Sequence, residues 1–375
     1  MALMVPATPP IRAALDAHVV GRRMTGNETY IVNLAEALAR RDDVEPTVYL
    51  DAGTPWPSPA QPRRRDLRWR VPYLRVPLEL PVRAKRDGAQ LLHVQYVAPP
   101  VACMPVVTAI HDISFEDVPG LFSRRMEMRL KLTVRLSARH AAAVITISEF
   151  TRSRISHHYG IDPQRIVVTP LGVDSRWWPV DRDAAWARLA GAALPDHFVL
   201  AVGNLHPRKN ISRLVRAVAS ARRSGAGDLH LVLAGQPGWQ AGQVQKTVEE
   251  VAGEGWVHSL GYVEDGRLLA LYCAADVVAY VSLYEGFGLP VIEALACAAV
   301  VVASSTTAIP EVAGEAALLV DPASDQSVAD GIARAATDAE LRALLRTAGP
   351  ARAADFTWER CAERTMDAYR LALHK

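Results

Sequence analysis

The sequence predicts an α/β fold of two doubly wound parallel sheets in succession, and three observations carry that expectation. Short apolar, β-branched runs alternate with helix-like segments, the pattern of a sheet covered by helices on both faces. Between residues 172 and 195, Gly, Pro and Trp interrupt the periodicity, and the alternation then restarts. A length of 375 residues suits two domains of ordinary size, each with its own core.

In chain order, residues 11–18, 44–50, 90–94, 106–110, 142–147 and 166–169 read as strands of the first sheet, with helices at 28–40, 124–139 and 149–159. Arg63, Arg64 and Arg65 follow the proline-rich stretch 54–62 and are expected in a loop on the acceptor side. The second sheet is expected from 198–202, 229–234, 257–260, 276–281, 300–303 and 317–320, with helices between. Thr357 caps a final helix that runs towards His374. The resulting domains are 1–175 and 176–355, followed by the terminal helix 356–375.

Composition narrows the function classes. Half of the residues are apolar and 22% are charged, which fits a soluble globular chain without a disorder signature. No apolar run approaches the ~20 residues that span a bilayer. The first ten residues lack a basic start and hold three prolines, a poor signal peptide, so a cytoplasmic protein is expected. Cys103, Cys273, Cys297 and Cys361 show no metal or redox spacing, and the adjacent pair His157 and His158 would point to different helix faces. No metal site is assigned.

The net charge of +2 conceals a basic half: residues 1–176 carry 24 Lys+Arg against 17 Asp+Glu. Much of that surplus lies on the helix 123–139, where Arg124, Arg125, Arg129, Lys131, Arg135 and Arg139 interleave with Met126, Met128, Leu130, Leu132, Val134 and Leu136. Such a helix is a candidate surface for anionic membrane or an anionic acceptor; it is equally a solvated face over an ordinary core stripe. Nucleic acid is disfavoured, because no aromatic stacking pattern accompanies the charge.

The most informative stretch is residues 282–296, Ser-Leu-Tyr-Glu-Gly-Phe-Gly-Leu-Pro-Val-Ile-Glu-Ala-Leu-Ala. Gly286, Gly288 and Pro290 prevent one continuous helix from carrying both Glu285 and Glu293, and Pro290 suits a first helical turn. The strand before it and the helix after it make a strand-end loop with free amides and a positive helix dipole, which favours a phosphate. Carboxylates beside a phosphate need hydroxyl or cationic partners, and a nucleotide sugar supplies both. Taken singly, each of these residues could be an ordinary loop, cap or turn residue; the joint pattern is harder to dismiss.

After the strand 198–202 comes Gly203-Asn204-Leu205-His206-Pro207-Arg208-Lys209-Asn210, in which Arg208 offers a fork of donors and Lys209 a point charge. A cation is disfavoured at a helix start, so Lys209 there hints at an anionic ligand. His111 ends the strand 106–110, where a lone histidine is usually structural.

The Glu-x7-Glu pattern within Tyr-Glu-Gly-Phe-Gly-Leu-Pro-x-x-Glu-Ala resembles the nucleotide-binding motif of retaining glycosyltransferases of the family 4 type. The resemblance extends through residues 109–113, 145–150, 169–174, 202–210 and 309–312, nearly the whole chain. It implies the GT-B fold, two Rossmann-like domains facing across a cleft, with the C-terminal helix crossing back to the N-terminal one. The donor would bind mainly to the second domain and the acceptor to the first.

By the same resemblance Arg208 and Lys209 neutralise the departing nucleoside diphosphate, Glu285 faces the transferred sugar, and Glu293 hydrogen-bonds the ribose. Gly286, Phe287, Gly288 and Leu289 would line the phosphates with Gly203, while Tyr262 and Val263 would lie near the base. His111 would contact the transferred sugar. The loop holding Gly26 and Asn27, which are counted with the donor-binding residues, departs from the more usual glycine-rich form. Gly26 would still let the backbone approach the diphosphate, but the acceptor pocket is put in doubt, since Asn27, Glu28 and Tyr30 could face it. No resident cofactor is implied and the transfer is expected to need no metal. GDP-mannose is the first donor expectation and a UDP-sugar the second, with a glycan, lipid-linked or small-molecule acceptor. The rivals are a sugar-nucleotide epimerase, for which the first domain shows no second acid/base pair, and a non-catalytic sugar-nucleotide sensor.

Overall fold

The computed structural model describes residues 9–22, 25–58, 62–69, 75–236, 241–251 and 255–374. The N-terminal reading for residues 1–8 and part of the proline-rich stretch, 59–61, fall outside these. Two wholly parallel sheets organise the chain. The first runs β3-β2-β1-β4-β5-β6-β7, built from β1 (Ile11–Asp16), β2 (Val44–Asp51), β3 (Arg63–Leu67), β4 (Leu91–Gln95), β5 (Val106–Ala109), β6 (Ala143–Thr146) and β7 (Ile166–Val168). The second runs β10-β9-β8-β11-β12-β13, from β8 (Phe198–Val202), β9 (His230–Ala234), β10 (Val257–Gly261), β11 (Val277–Tyr280), β12 (Val301–Ser304) and β13 (Leu318–Val320).

Central strands are buried along their whole length, β4, β5, β6, β11 and β12 among them, which is why they read as largely apolar runs, interrupted in β4 by the buried His93 and Gln95. Strand order reverses between β1 and β4 and again between β8 and β11. These are the two places where loops diverge above a doubly wound sheet and leave room for a ligand.

The helices follow as α1 (Thr25–Ala39), α2 (Leu80–Arg86), α3 (Ser114–Asp117), α4 (Arg124–His140), α5 (Glu149–Tyr159), α6 (Arg182–Arg188), α7 (Ile211–Arg223), α8 (Ala241–Val251), α9 (Asp265–Ala274), α10 (Leu289–Ala296), α11 (Ile309–Ala313), α12 (Asp325–Thr337), α13 (Ala339–Ala353) and α14 (Trp358–Leu373). The chain divides into two compact units, Met1–Gly172 with Thr357–Lys375, and Val173–Phe356.

One expectation needs correction. Arg63, Arg64 and Arg65 are not in a loop but form most of β3, paired in register with Thr47, Val48 and Tyr49. β3 is an edge strand with only Leu67 buried, and charge on an edge discourages pairing with other chains. An open surface cavity of about 570 Å³ lies beside it, lined by Ala52, Arg64, Arg65, Asp66, Arg68 and Arg83.

The terminal helix α14 belongs to the first unit. Thr357 caps it by accepting from Arg360 N, and it buries Trp358, Cys361, Met366 and Tyr369. Its phenol at Tyr369 lies 2.9 Å from Nδ1 of the buried His93 on β4, whose Nε2 lies 3.1 Å from the Tyr30 hydroxyl. Burial pushes the His93 imidazole down to about 3, so it is neutral, with one ring nitrogen donating and the other accepting. Gly172 makes the docking possible, because a Cβ there would sit 2.3 Å from Trp358 N.

Candidate active site

In the second unit, β8 ends at the point of strand reversal and leads into Gly203, whose φ of 128° lies outside the range of ordinary side chains. A Cβ at Gly203 would come 3.2 Å from Lys209 Cε, so the glycine leaves the passage that the lysine stem occupies. A single 3₁₀ turn, Pro207–Lys209, follows, with the His206 ring accepting from Arg208 N. Asn210, in the left-handed region, then fastens the loop: its Nδ2 donates to Val281 O (3.1 Å) and Pro322 O (2.7 Å). Leu283 N donates to Arg208 O at 2.7 Å, so the loop after β8 and the segment after β11 are tied directly together.

That tie brings Lys209 to Glu285. Lys209 Nζ donates to Glu285 Oε1 at 2.8 Å and to the Tyr280 hydroxyl at 2.5 Å, and it lies 4.4 Å from the centre of the Tyr280 ring. Both ionic side chains are largely buried, at 13% and 7% exposure. Burial opposes ionisation of Glu285, yet the Lys209 and Arg208 charges, with hydrogen bonds from Lys209 and Ser282, hold its carboxyl below the usual range. The Tyr280 phenol moves well above its usual value through burial and the Glu285 charge. Glu285 is fixed by its backbone as well, its N donating to Thr307 Oγ1 (3.3 Å) and its O accepting from Ala308 N (3.4 Å). The helix-start lysine therefore has its countercharge within the protein, in the first of the two motif carboxylates.

Beyond Glu285, Gly286 and Phe287 are buried and Phe287 packs edge-on against Phe356. Gly288, at φ 112°, starts α10 without a side-chain cap; a Cβ there would meet Ile309 Cδ1 at 2.7 Å. Leu289 and Pro290 form the first turn, half-buried, as the proline predicted. Glu293 follows on the next turn, where Tyr272 OH donates to its Oε2 at 3.1 Å. Burial pushes the Glu293 carboxyl up to about 7, with Asp265 adding to the rise and Tyr272 and Arg176 opposing it.

Tyr262 and Val263 stand apart from this cluster. They follow Gly261 at the carboxyl end of the edge strand β10, with β9 between them and β8, and Tyr262 is exposed.

Gly26, Asn27 and His111 lie in the first unit. Asn27, in the first turn of α1, places Oδ1 3.0 Å from His111 Nδ1. With the amide oxygen as acceptor, Nδ1 carries the proton and Nε2 presents a lone pair. That Nε2 is buried and has no partner among the described residues. Burial lowers the imidazole to about 4, so it is neutral. The rings of Tyr30 and Tyr96 flank it, 4.5 and 5.6 Å away between centroids. An added Cβ at Gly26 would meet nothing within 4 Å among the described residues outside its own helix backbone and chain neighbours, so packing against them does not demand a glycine there. Tyr30 is fully buried, with its hydroxyl 3.1 Å from His93 Nε2, and Glu28 Oε1 accepts from Gly21 N.

The region 188–352 matches the family described as "Glycosyl transferases group 1", and 24–177 matches "Glycosyltransferase Family 4". The O-antigen chain mannosyltransferase B of Escherichia coli is 34% identical over 266 residues, 71% of this chain and 70% of that protein. The chain belongs to the family 4 glycosyltransferases. The MMP alpha-(1->4)-mannosyltransferase of Mycolicibacterium hassiacum is 31% identical over 240 residues, which are 63% of the glycosyltransferase described here and 56% of that enzyme. In fold, the glycosyltransferase aligns with Anabaena HepE in complex with UDP-glucose at a TM-score of 0.76 over 96% of its own length and 99% of HepE, with 19% identity. The architecture is GT-B. The epimerase and sensor readings find no support in these matches.

Sequence reasoning missed several residues that shape the glycosyltransferase site. Gly235, after β9, is the tightest: a Cβ would lie 2.0 Å from Gly203 O. Its only signal was a glycine directly after a strand. Tyr280 looked like one more apolar strand residue, and Thr307 was hidden in the polar run 304–307 that ends β12. Tyr272 lies inside an apolar helix and gave no signal. Among the described residues, no group of three or more His, Cys, Asp or Glu could hold a metal ion.

Proposed function

We propose that this glycosyltransferase moves a hexose, with mannose from GDP-mannose as the first choice, to a hydroxyl of a glycan, lipid-linked or small-molecule acceptor with retention of anomeric configuration. The observation that carries the reading is the Lys209, Glu285 and Tyr280 cluster, with Arg208 beside it, at the strand-order reversal of the second sheet. As the sugar bond breaks, negative charge grows on the diphosphate, and Arg208 and Lys209 are the cations fixed near that position. Preorganised charge of this kind stabilises a leaving group without further rearrangement. The glycine backbone 286–288 admits the phosphates closely, and Glu293 meets the ribose hydroxyls. The neutral His111, with its bare Nε2, contacts the transferred sugar. No metal is required, since the two cations and the start of α10 take over charge neutralisation.

Mannose is favoured because the two relatives are mannosyltransferases, and a UDP-sugar is the second choice because HepE was solved with UDP-glucose. Calorimetry against GDP, UDP, ADP and TDP, with and without Mg²⁺, tests the donor: selective, metal-independent binding of GDP is expected. Binding of none of them removes the site assignment. Glu285→Gln is expected to lower turnover about a hundredfold or more with diphosphate affinity nearly unchanged, and full turnover would remove the role given to Glu285. NMR of the product's anomeric proton reports retention directly.

A further inference from the structure

We infer that the outer face of α4 is a docking surface for an anionic lipid bilayer. The sequence left this helix open between a membrane face and a solvated face over a core stripe, and the structure separates the two. Val134, Ser137 and Ala138 are the buried side, with Val134 and Ala138 in the core formed with Ile110, Ile155 and Tyr159. Met128, Leu132 and Leu136 are not part of that stripe: they are 65%, 61% and 46% exposed.

At about 100° per residue, these three fall with Arg125, Arg129, Arg135 and Arg139 inside one arc of about 120°, opposite the buried side. All four arginines are exposed; Arg139 also donates to Tyr159 O. The helix has a single carboxylate, Glu127, which is off this arc and paired with Lys131 at 2.7 Å.

A merely solvated face would carry polar side chains where Met128, Leu132 and Leu136 stand. Apolar side chains alternating with arginines match an interface where the former enter the acyl boundary and the latter reach phosphates through flexible stems. A second copy of the chain is a poor occupant, because an isologous contact would bring both sets of arginines together and the helix itself places no carboxylate on this arc. The inference stands apart from the donor and acceptor reading and holds whatever sugar is moved.

The test is co-sedimentation of the full chain with vesicles of phosphatidylcholine alone and of an equal mixture with phosphatidylglycerol. Binding is expected only to the mixed vesicles and should weaken with added salt. Arg129→Ser with Arg135→Ser is expected to lower partitioning roughly thirty-fold, and Leu132→Ser roughly tenfold. All three side chains are exposed, so unchanged thermal unfolding checks that the variants fold; Arg125→Ser with Met128→Ser is the reserve. Equal binding to both vesicles, no binding, or variants that bind like the parent would overturn the inference. So would a concentration-dependent dimer in sedimentation velocity that Leu132→Ser abolishes, which would hand the face to a second copy.

Discussion

Glu293 and Glu285 belong to one motif, but their surroundings drive them in opposite directions. Glu293 is raised to about 7 by burial and by Asp265, so below its ordinary value of 4.5 it is protonated whether the chain is folded or not. Between 4.5 and about 7 only the folded chain keeps the proton, and the free protein loses stability as pH rises through that window, levelling off above it. Ribose hydroxyls donate best to the carboxylate. GDP is therefore expected to bind more tightly as pH rises through about 7, releasing a proton. Calorimetry in buffers of different ionisation enthalpy reads that proton, and Glu293→Gln should flatten the pH dependence. Glu285 is depressed, so its stabilisation is present above 4.5 and fades as pH falls. Lys209→Met should cost about 3 kcal/mol in urea unfolding at neutral pH, because it strands a buried carboxylate, and the gap to the parent should narrow in acid. Both carboxylates were legible through their spacing. Their partners were not, since Lys209 is 76 positions from Glu285 and Tyr272 is 21 from Glu293, distances that only the fold closes.

Among the elements, the tightest constraint sits where β8 and β9 end. Gly235→Ala would place a methyl 2.0 Å from Gly203 O, so the two strand ends must part. A loss of about 2 kcal/mol or more is expected in urea unfolding, together with weaker diphosphate binding, because Gly203 positions the Lys209 stem. A variant with parental stability and affinity would show that the loop tolerates the shift. The buried strands were legible because burial on both faces leaves a largely apolar run. β3 was not, since an edge strand with one buried residue carries no such run and its arginines imitate a loop. The start of α10 was legible from Pro290 and Gly288, each of which has a conformational requirement that few other residues meet. For α4, the sequence showed charge and apolar residues together but could not say which apolar residues face inward.

On the scale of the whole molecule, the restart of the strand pattern announced two units, and each has its own sheet. The place of α14 could not be read from periodicity; it came from resemblance, and the structure gives the physical reason. The first unit uses α14 to complete a buried polar chain in which His93 is held between Tyr30 and Tyr369. Tyr369→Phe leaves one nitrogen of that buried ring without a partner and should cost about 1 to 3 kcal/mol. Hydrogen exchange should report the loss in β4 and α14, with β8 and β11 protected as before; an unchanged rate in β4 would count against the coupling. The same docking bears on birth order. Because the helix that closes the first unit follows Val173–Phe356 in the chain, the rest of that unit must wait unfinished while the whole of Val173–Phe356 is synthesised and free to fold. Completion thus runs against the direction of synthesis, and a nascent chain stalled just before Thr357 would carry a finished second unit and an open first one.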